Sequence, residues 1–192
     1  AQPGEKCSYS DAVDVQAASL EKMTGLTFGQ YLKQNIFTPL GMADTFFQVP
    51  ADKASRIPDG FGFDPEAKMK LIDKAGAESA WAKGWTFNSG GGGLASTIGD
   101  YFKFCLMLAN CGELNGVRLL SPKTLEFMTM NHLPGNKTLK DMGDKTFSES
   151  RMDGSGFGLG WAVTTDVVAT TQPGSAGTFS WGGMASTFFW ID

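Results

Sequence analysis

Apolar residues recur at helical spacing through the first part of the chain. A helix of about a dozen residues is predicted after Tyr9-Ser10, with Gly25 as its C-terminal stop. Thr27 and Gln30 have the spacing of a capping box for a second helix, which Pro39-Leu40-Gly41 ends. Two short helices are therefore expected near the start of the sequence.

Two further helices are predicted after a long stretch rich in Pro, Gly, Asp and Lys that runs from Phe47 to Asn88. Thr97 caps the first, Gly112 ends it, and its apolar stripe consists of Ile98, Tyr101, Phe102, Cys105, Leu106 and Ala109. Leu114–Val117 has the composition of a tight hairpin turn. Ser121-Pro122 then starts a helix that is expected to end near Met130.

The apolar period changes to two at Phe157, where Phe157, Leu159, Trp161 and Val163 alternate with small or polar residues. Residues 134–156 are predicted to be a surface loop. Further strands are expected around Val167–Thr171, Thr178–Trp181 and Ser186–Ile191, with Pro173-Gly174 as a turn. Helices followed by antiparallel strands predict an α+β fold.

The domain prediction follows from this order of elements. Residues 1–192 are expected to form one domain, mainly helical with long loops over 10–132, and with antiparallel strands of the main sheet over 157–192. The last strand reaches the terminus at Ile191-Asp192, so we expect the domain to be incomplete. The unpaired sheet edges then predict self-association or a complementing chain.

Composition excludes several classes of function. The net charge is -4, and no run of Lys or Arg forms a stripe that could bind a nucleic acid backbone. No apolar stretch approaches the roughly 20 residues that span a bilayer, and the sequence leaves localisation open. His132 is the single histidine, which argues against a His-rich metal site, and no cofactor is expected. Cys7, Cys105 and Cys111 are expected to be reduced, structural thiols among apolar helix residues.

Six short motifs occur in one order along nearly the whole chain. They are Tyr9-Ser10-Asp11, PLGMADT at 39–45, SGGGGLAST at 89–97, LLSP at 119–122, FGLGW at 157–161 and SWGGM at 180–184. Together they resemble the superfamily of class C β-lactamases, family VIII carboxylesterases and penicillin-binding protein-like enzymes. The resemblance implies a β-lactamase/transpeptidase-like fold and a serine hydrolase that forms an acyl-enzyme with a small-molecule ester or amide.

The resemblance also implies an active site of three parts: a Ser-x-x-Lys helix, a Tyr-x-Asn type motif and a final strand bearing a motif such as Trp-Gly-Gly. Tyr9 would be the proton shuttle, and Asp11 would replace the usual Asn. The strand edge beside the substrate would be formed by Trp181, Gly182 and Gly183, with the backbone N–H of Met184 as an oxyanion donor. The Ser-x-x-Lys segment is not found at the expected place, so the isolated chain is expected to be inactive.

Two departures from the family pattern favour a short-chain ester as the substrate. Ionised Asp11 could accept a hydrogen bond from a Lys but could not donate one to a substrate carbonyl. Trp181 lacks the cation that would recognise the carboxylate of a β-lactam. The alternatives are a β-lactamase or D-amino peptidase relative, or a non-catalytic binding or assembly domain of the same fold.

Simpler interpretations exist for each motif. Tyr9 could pack as a staple-like aromatic residue, and the glycines after Trp181 could mark an ordinary strand bend. Ser19-Leu20-Glu21-Lys22 fits Ser-x-x-Lys literally but follows Tyr9 rather than preceding it. Gly90-x-Gly92-x-x-Ala95 fits a dinucleotide fingerprint without the apolar strand that should precede it, and is predicted to be a turn before the Thr97 helix.

Overall fold

The computed structural model describes Gln2 and residues 4–66, 68–143 and 152–192. The chain divides into two compact units. One consists of Ala1–Ser10 and Cys105–Asp192, and is called the sheet unit here; the other, Asp11–Phe104, is called the helical unit. Both combine helices with antiparallel strands, which agrees with the predicted α+β class.

The helical unit begins with the two predicted helices. Helix α1 spans Ala12–Thr24 and ends at Gly25, whose φ of 71° is left-handed. Helix α2 spans Phe28–Leu32 and continues as a π-helix over Lys33–Phe37. The capping box is confirmed, because Thr27 accepts from the Gln30 N–H while the Gln30 side chain accepts from the Thr27 N–H.

The long stretch after α2 is more ordered than a plain loop. It contains a 3-10 turn at Ala54–Arg56, the hairpin strands β1 (Gly60–Asp64) and β2 (Lys68–Asp73), a 3-10 turn at Gly76–Glu78, and the short helix α3 (Ala80–Lys83). The buried apolar residues of this unit include Ala17, Phe37, Leu40, Met42, Phe47, Val49 and Ala54. The core of this unit therefore lies under α1, the π-helix and the segment that follows it.

Helix α4 spans Ile98–Ala109 and is capped by Thr97, whose Oγ1 accepts from the Asp100 N–H at 3.2 Å. The predicted apolar stripe was wrong as a guide to burial. Ile98 and Phe102 are exposed, whereas Met107 and Leu108 are almost fully buried. The helix is apolar on more than one face, so periodicity alone could not select the face that is buried.

A buried carboxylate on α4 holds the end of the motif PLGMADT, residues 39–45, against this helix. Asp100 is 5% exposed and accepts hydrogen bonds from the Asp44 N–H at 2.6 Å and from Thr45 Oγ1 at 3.2 Å. Its second oxygen pairs with Lys103 at 2.9 Å. Burying a charge is tolerated only when it is paired and hydrogen-bonded, and these contacts meet that condition. The motif thus anchors the start of α4.

The predicted hairpin turn lies in the sheet unit. Strands β3 (Glu113–Leu114) and β4 (Val117–Arg118) pair across Asn115 and Gly116, whose φ values are 51° and 80°. Positive φ at both central positions is the geometry that an Asn-Gly turn favours. Helix α5 follows at Pro122–Met128, with Ser121 Oγ accepting from the Thr124 N–H at 3.0 Å. Both predictions are confirmed.

The main sheet has four antiparallel strands in the order β5-β6-β7-β8. The strand predicted from Phe157 to Val163 was wrong: β5 (Ser155–Phe157) and β6 (Ala162–Thr164) are two arms of a hairpin. The turn between them closes where the Gly158 N–H donates to the Trp161 carbonyl at 2.9 Å. Glycines that looked like small members of an alternating strand therefore form the turn itself.

The remaining strand predictions had mixed outcomes. Strands β7 (Phe179–Gly182) and β8 (Phe188–Ile191) lie where they were expected. Val167–Thr170 is instead a short helix, α7, because the Asp166 side chain accepts from the Ala169 N–H at 3.0 Å and caps it. An N-cap aspartate here overrides the strand preference of the β-branched residues.

The segment predicted to be a surface loop contains a 3-10 turn at Pro134–Asn136 and helix α6 (Leu139–Met142). Residues 144–151, which fall in the same prediction, lie outside the described residues. Leu139 and Met142 are buried, so α6 belongs to the core rather than to the surface. Leu139 forms a cluster with Ala162, against which Cys7, Leu133, Met152, Phe157 and Trp181 pack.

The three cysteines all lie in the described part of the chain and form no disulfide there, but only Cys105 lies in a helix as expected. The backbone of Cys7 forms an isolated β-bridge with that of Gly143. Cys111 is exposed in the turn after α4, with a φ of 56°. Burial raises the pKa of the Cys105 thiol. Within the described ranges, no helix has the length and apolar character needed to cross a membrane.

Candidate active site

Tyr9 and Trp181 lie together in the sheet unit. Their rings are stacked, with centroids 6.1 Å apart and planes inclined by 21°. Trp181 also meets the ring of Phe157 edge-on, with centroids 5.5 Å apart, so the indole contacts two aromatic rings. The structure therefore places two residues from opposite ends of the sequence next to each other.

The segment before Tyr9 is held by backbone pairing. Cys7 forms a parallel bridge with Gly143, and its N–H donates to the Met142 carbonyl at 2.9 Å. Because α6 ends at Met142, which is buried, this pairing fixes the position of the segment that leads to Tyr9. Tyr9 as a residue is 56% exposed, so it lies at the surface of the sheet unit.

The Trp-Gly-Gly segment lies where β7 extends beyond β6. In the described part of the sheet, β6 pairs with Phe179 and Ser180 only, whereas β8 pairs with β7 as far as Gly182 opposite Phe188. The glycines Gly182 and Gly183 place no side chain on this stretch of backbone. At Gly182 the nearest atom, on Phe188, lies 3.6 Å from where a Cβ would be, whereas Thr187 Oγ1 fills that place at Gly183. Room for the close approach of a ligand backbone is therefore found at Gly182.

Met184 follows in the turn between β7 and β8. The Gly183 N–H donates to the Thr187 carbonyl at 2.8 Å, and the Ser186 N–H donates to the Gly183 carbonyl at 3.0 Å. Neither of these two bonds uses the N–H of Met184, and the Met184 side chain is fully exposed. The role of the Met184 N–H as an oxyanion donor stays a prediction of the motif.

Asp11 belongs to the helical unit, where it is the N-cap residue of α1. Its side chain makes no capping hydrogen bond to the helix, and the residue is exposed. The carboxylate is thus not committed to stabilising α1.

Asp14, one turn further along α1, is a structural residue that the sequence analysis missed. Its carboxylate accepts from Ser89 Oγ at 2.6 Å, from the Gly90 N–H at 2.8 Å and from the Gly91 N–H at 3.3 Å. The Ser89 hydrogen bond, followed by the two backbone ones, holds the pKa of Asp14 below its ordinary value. Two signals were available in the sequence: an acidic residue in the first turn of α1, and the four glycines at 90–93, here called the glycine run, whose backbone N–H groups need acceptors.

The structure explains the two motifs that matched other site patterns, Ser19-Leu20-Glu21-Lys22 and the glycine-rich segment from Gly90 to Ala95. Ser19 Oγ donates to the Val15 carbonyl at 2.7 Å, the usual bond of a serine within a helix. Gly90 and Gly91 are tied to Asp14, and Ala95 pairs with Phe46, so the glycine run is a tethered turn before α4. Within the described ranges, no group of three or more His, Cys, Asp or Glu residues could hold a metal ion.

Comparison with known proteins assigns the family. The β-lactamase family model matches residues 1–192. This chain belongs to the β-lactamase family. The predicted superfamily is confirmed, and members of this family include serine hydrolases with esterases among them.

Curated relatives of this β-lactamase-family chain come from bacteria and fungi. An uncharacterized protein of Mycobacterium tuberculosis is 32% identical over 194 residues, which cover 100% of this chain and 47% of that protein. Esterase EstB of Burkholderia gladioli is 28% identical over 202 residues, which cover 99% of this chain and 47% of the esterase. The chain therefore spans about half the length of these relatives.

Solved structures confirm the fold of this β-lactamase-family chain. Unliganded simvastatin synthase (LovD) from Aspergillus terreus superposes with a TM-score of 0.80 at 24% identity, over 99% of this chain and 48% of that one. EstCE1, a hydrolase with promiscuous acyltransferase activity, superposes with a TM-score of 0.77 at 25% identity, over 99% of this chain and 49% of that one. The predicted β-lactamase/transpeptidase-like fold is therefore correct.

Proposed function

We propose that this chain contributes part of the active site of a serine carboxylesterase that hydrolyses short-chain esters through an acyl-enzyme. The observation that carries the proposal is the stacking of Tyr9 on Trp181 at 6.1 Å. It joins the candidate proton shuttle to the strand that would hold the substrate. The similarity to EstB and EstCE1, which are named as an esterase and a hydrolase, supports the same chemistry.

Each candidate residue has a defined role in this proposal. The Tyr9 hydroxyl would carry a proton between the nucleophile and the leaving alcohol. The Met184 N–H would donate to the oxyanion, a contribution worth about 10² to 10³ in rate in well-studied hydrolases. Asp11 would bind a lysine that accompanies the nucleophile. A Ser-x-x-Lys supplied from outside these 192 residues would complete the site, so the isolated chain would be inactive.

The surroundings of Trp181 favour an ester without a carboxylate over a β-lactam. The indole is stacked on Tyr9 and meets Phe157 edge-on, so three aromatic rings line this position. Aromatic faces carry partial negative charge and offer no positive charge to an anion. A β-lactam carboxylate would lose its water here without gaining a charged partner, whereas an uncharged acyl or alcohol group would gain apolar contact.

The test is the hydrolysis of p-nitrophenyl butyrate by the full natural chain and by its Tyr9→Phe variant. Removing the hydroxyl while keeping the ring should preserve the stacking on Trp181. We expect kcat to fall by about 10² to 10⁴, the usual contribution of a general acid or base, with a much smaller change in KM. Tyr31→Phe, in the helical unit, is the matched control and should leave kcat unchanged.

Three outcomes would contradict the proposal. Equal kcat in the Tyr9→Phe variant would remove Tyr9 from the chemistry. Faster turnover of nitrocefin or of a D-alanyl peptide than of the ester would favour the β-lactamase or D-amino peptidase alternative. A folded full chain that turns over none of these substrates would favour a non-catalytic binding or assembly domain.

A further inference from the structure

Asn131 uses the full hydrogen-bonding capacity of its side chain within the sheet unit. Its Oδ1 accepts from the Leu133 N–H and from the Phe157 N–H, both at 3.1 Å. Its Nδ2 donates to Asn136 Oδ1 at 3.0 Å and to the Lys137 carbonyl at 2.9 Å. An asparagine amide offers two lone pairs and two N–H groups, so these bonds occupy all of them. The side chain therefore ties the segment after α5 to the turn before α6 and to strand β5.

The amide of Asn131 also packs directly against β5. A Cβ at Gly156 would lie 2.3 Å from Asn131 Cγ, 2.4 Å from its Oδ1 and 2.7 Å from its Nδ2. The neighbouring His132 N–H donates to the Phe157 carbonyl at 2.8 Å. Both backbone groups of Phe157 are therefore held by residues 131 and 132, and the amide fits closely over the preceding glycine.

Through Phe157, these contacts reach Trp181. The Phe157 ring meets the indole edge-on with centroids 5.5 Å apart, and the indole stacks in turn on Tyr9 at 6.1 Å. Phe157 and Trp181 also pack against the same buried cluster, formed by Leu139 and Ala162. Because a packed interior transmits small shifts, a movement of the Phe157 backbone would move the ring that the indole contacts.

Through Lys137, the same amide reaches the segment before Tyr9. Lys137 directly precedes Thr138, the N-cap residue of α6, and that helix ends at Met142. The Met142 carbonyl accepts from the Cys7 N–H at 2.9 Å, two residues before Tyr9. One side chain thus holds the start of the helix whose other end pairs with the tyrosine segment.

We propose that Asn131 is a positioning residue for the candidate active site. It sets the placement of Tyr9 relative to Trp181 by holding β5 on one side and the start of α6 on the other. The inference rests on the proposed esterase function, because it names a residue that controls the rate at the same site. A displacement of about 1 Å from a distant change can cost about 10² in rate, so precise placement of the pair matters for turnover.

Two variants separate the hydrogen bonds of Asn131 from the space that it fills. Asn131→Asp keeps the shape and one acceptor oxygen, but it replaces both Nδ2 donor bonds with contacts between a carboxylate oxygen and two acceptor oxygens. The double variant Asn131→Ala with Gly156→Ala removes the amide and places a Cβ in the space that the amide occupies. If Asn131 only fills space, the double variant should be fully active.

The kinetic test is the hydrolysis of p-nitrophenyl butyrate by the full natural chain, at a temperature at which every variant is folded. We expect kcat to fall by about 10- to 100-fold in Asn131→Asp and in the double variant, with KM changed by less than about twofold. A loss of stability alone would lower the melting temperature without lowering kcat of the folded protein. Asn115→Asp makes the same chemical change in the exposed turn between β3 and β4, and should leave kcat unchanged.

A second measurement reports the aromatic pair without requiring activity. Fluorotyrosine in the full natural chain gives a fluorine NMR resonance for Tyr9, which is assigned by its absence in Tyr9→Phe. Its chemical shift depends on the indole stacked against it. Asn131→Asp should move or broaden this resonance, whereas the resonances of Tyr31 and Tyr101, which belong to the helical unit, should stay in place.

The inference and the proposed function fail in different ways. Equal kcat in Tyr9→Phe would remove Tyr9 from the chemistry, and the fluorine resonance would still decide whether Asn131 positions the pair. The positioning role would be overturned by an unmoved Tyr9 resonance in Asn131→Asp, by full activity of the double variant with Gly156→Ala, or by equal losses of kcat in Asn131→Asp and Asn115→Asp.

Discussion

At the scale of single residues, Asp14 shows how a carboxylate can organise a glycine-rich segment. It accepts three hydrogen bonds from Ser89, Gly90 and Gly91, and it sits one helical turn after Asp11. Backbone N–H groups need acceptors when a chain packs closely against a helix, and a glycine run supplies no side chains to provide them. Asp14 fills that need, and its charge state should therefore control how firmly the segment is held.

The hydrogen bonds of Asp14 predict that the thermal stability of the protein depends on pH. Hydrogen bonds lower the folded-state pKa of Asp14 below its ordinary value of 3.8. A carboxyl with a depressed folded pKa contributes stability that is present above its unfolded pKa and lost as pH falls through its folded pKa. The melting temperature of Asp14→Asn should be below that of the wild type at pH 7, and the difference should shrink once the pH falls below 3.8.

Thermal unfolding of the two proteins between neutral and acidic pH measures this difference directly. Asp166→Asn is a useful comparison, because Asp166 caps the short helix α7 through the Ala169 N–H rather than holding the glycine run. A difference between wild type and Asp14→Asn that stays constant down to the lowest pH would show that ionised Asp14 is not what holds Ser89 and its neighbours.

The candidate site was predicted from short motifs, and the structure clarifies only part of it. Tyr9 and Trp181 lie together, and Met184 lies in the turn that the strand motif implied. Asp14 was missed because its role depends on contacts with residues 89–91, far away in the sequence. Motif order identified two residues that lie together, Tyr9 and Trp181, but it did not identify the neighbours that hold the adjoining segments.

At the scale of elements, the glycine run offers a test of close packing. A Cβ on Gly90 would lie 2.2 Å from the Val13 carbonyl oxygen of α1, whereas a Cβ on Gly92 would have nothing within 4 Å. Gly90→Ala should therefore force the segment away from α1 and cost about 1 to 3 kcal/mol of unfolding free energy. Gly92→Ala should be nearly neutral.

Urea denaturation of the two alanine variants measures both values under the same conditions. The pair is matched in residue type and in sequence context, so a difference between them reports the contact with α1 rather than glycine's backbone entropy. Equal stability of the two variants would mean that Gly90 does not pack against α1 as the structure has it.

The sequence predicted helix ends and turns best, because these depend on interactions between neighbouring residues. The stop at Gly25, the Thr27 capping box, the Asn115-Gly116 turn and the Ser121 cap each depend on neighbouring residues, and all are observed. Each is a local interaction between backbone and side chain, so tertiary packing has little opportunity to change it.

Prediction failed where tertiary context decided the outcome. The alternating pattern from Phe157 to Val163 folds as a hairpin, because glycines within it allow the turn. Helix α4 buries Met107 and Leu108 instead of the expected stripe, since its sequence is apolar on several faces. Short apolar patterns do not distinguish these outcomes without knowledge of what packs against them.

At the scale of the whole molecule, motif order and the match to a family model assign the same family. The order of six motifs suggested the β-lactamase family, and the family model matches residues 1–192. The similarity to EstB and EstCE1 then makes ester hydrolysis the chemistry to test. The chain covers about half of each of these proteins, so the account requires residues beyond this sequence to supply the nucleophile.

The most direct measurement is the site of covalent labelling by a fluorophosphonate. The full natural chain would be treated with the probe, digested and analysed by mass spectrometry. The account predicts one phosphonylated serine, within a Ser-x-x-Lys outside residues 1–192, and parallel loss of esterase activity. Labelling of Ser19 or Ser10, or no labelling of the folded protein, would contradict it.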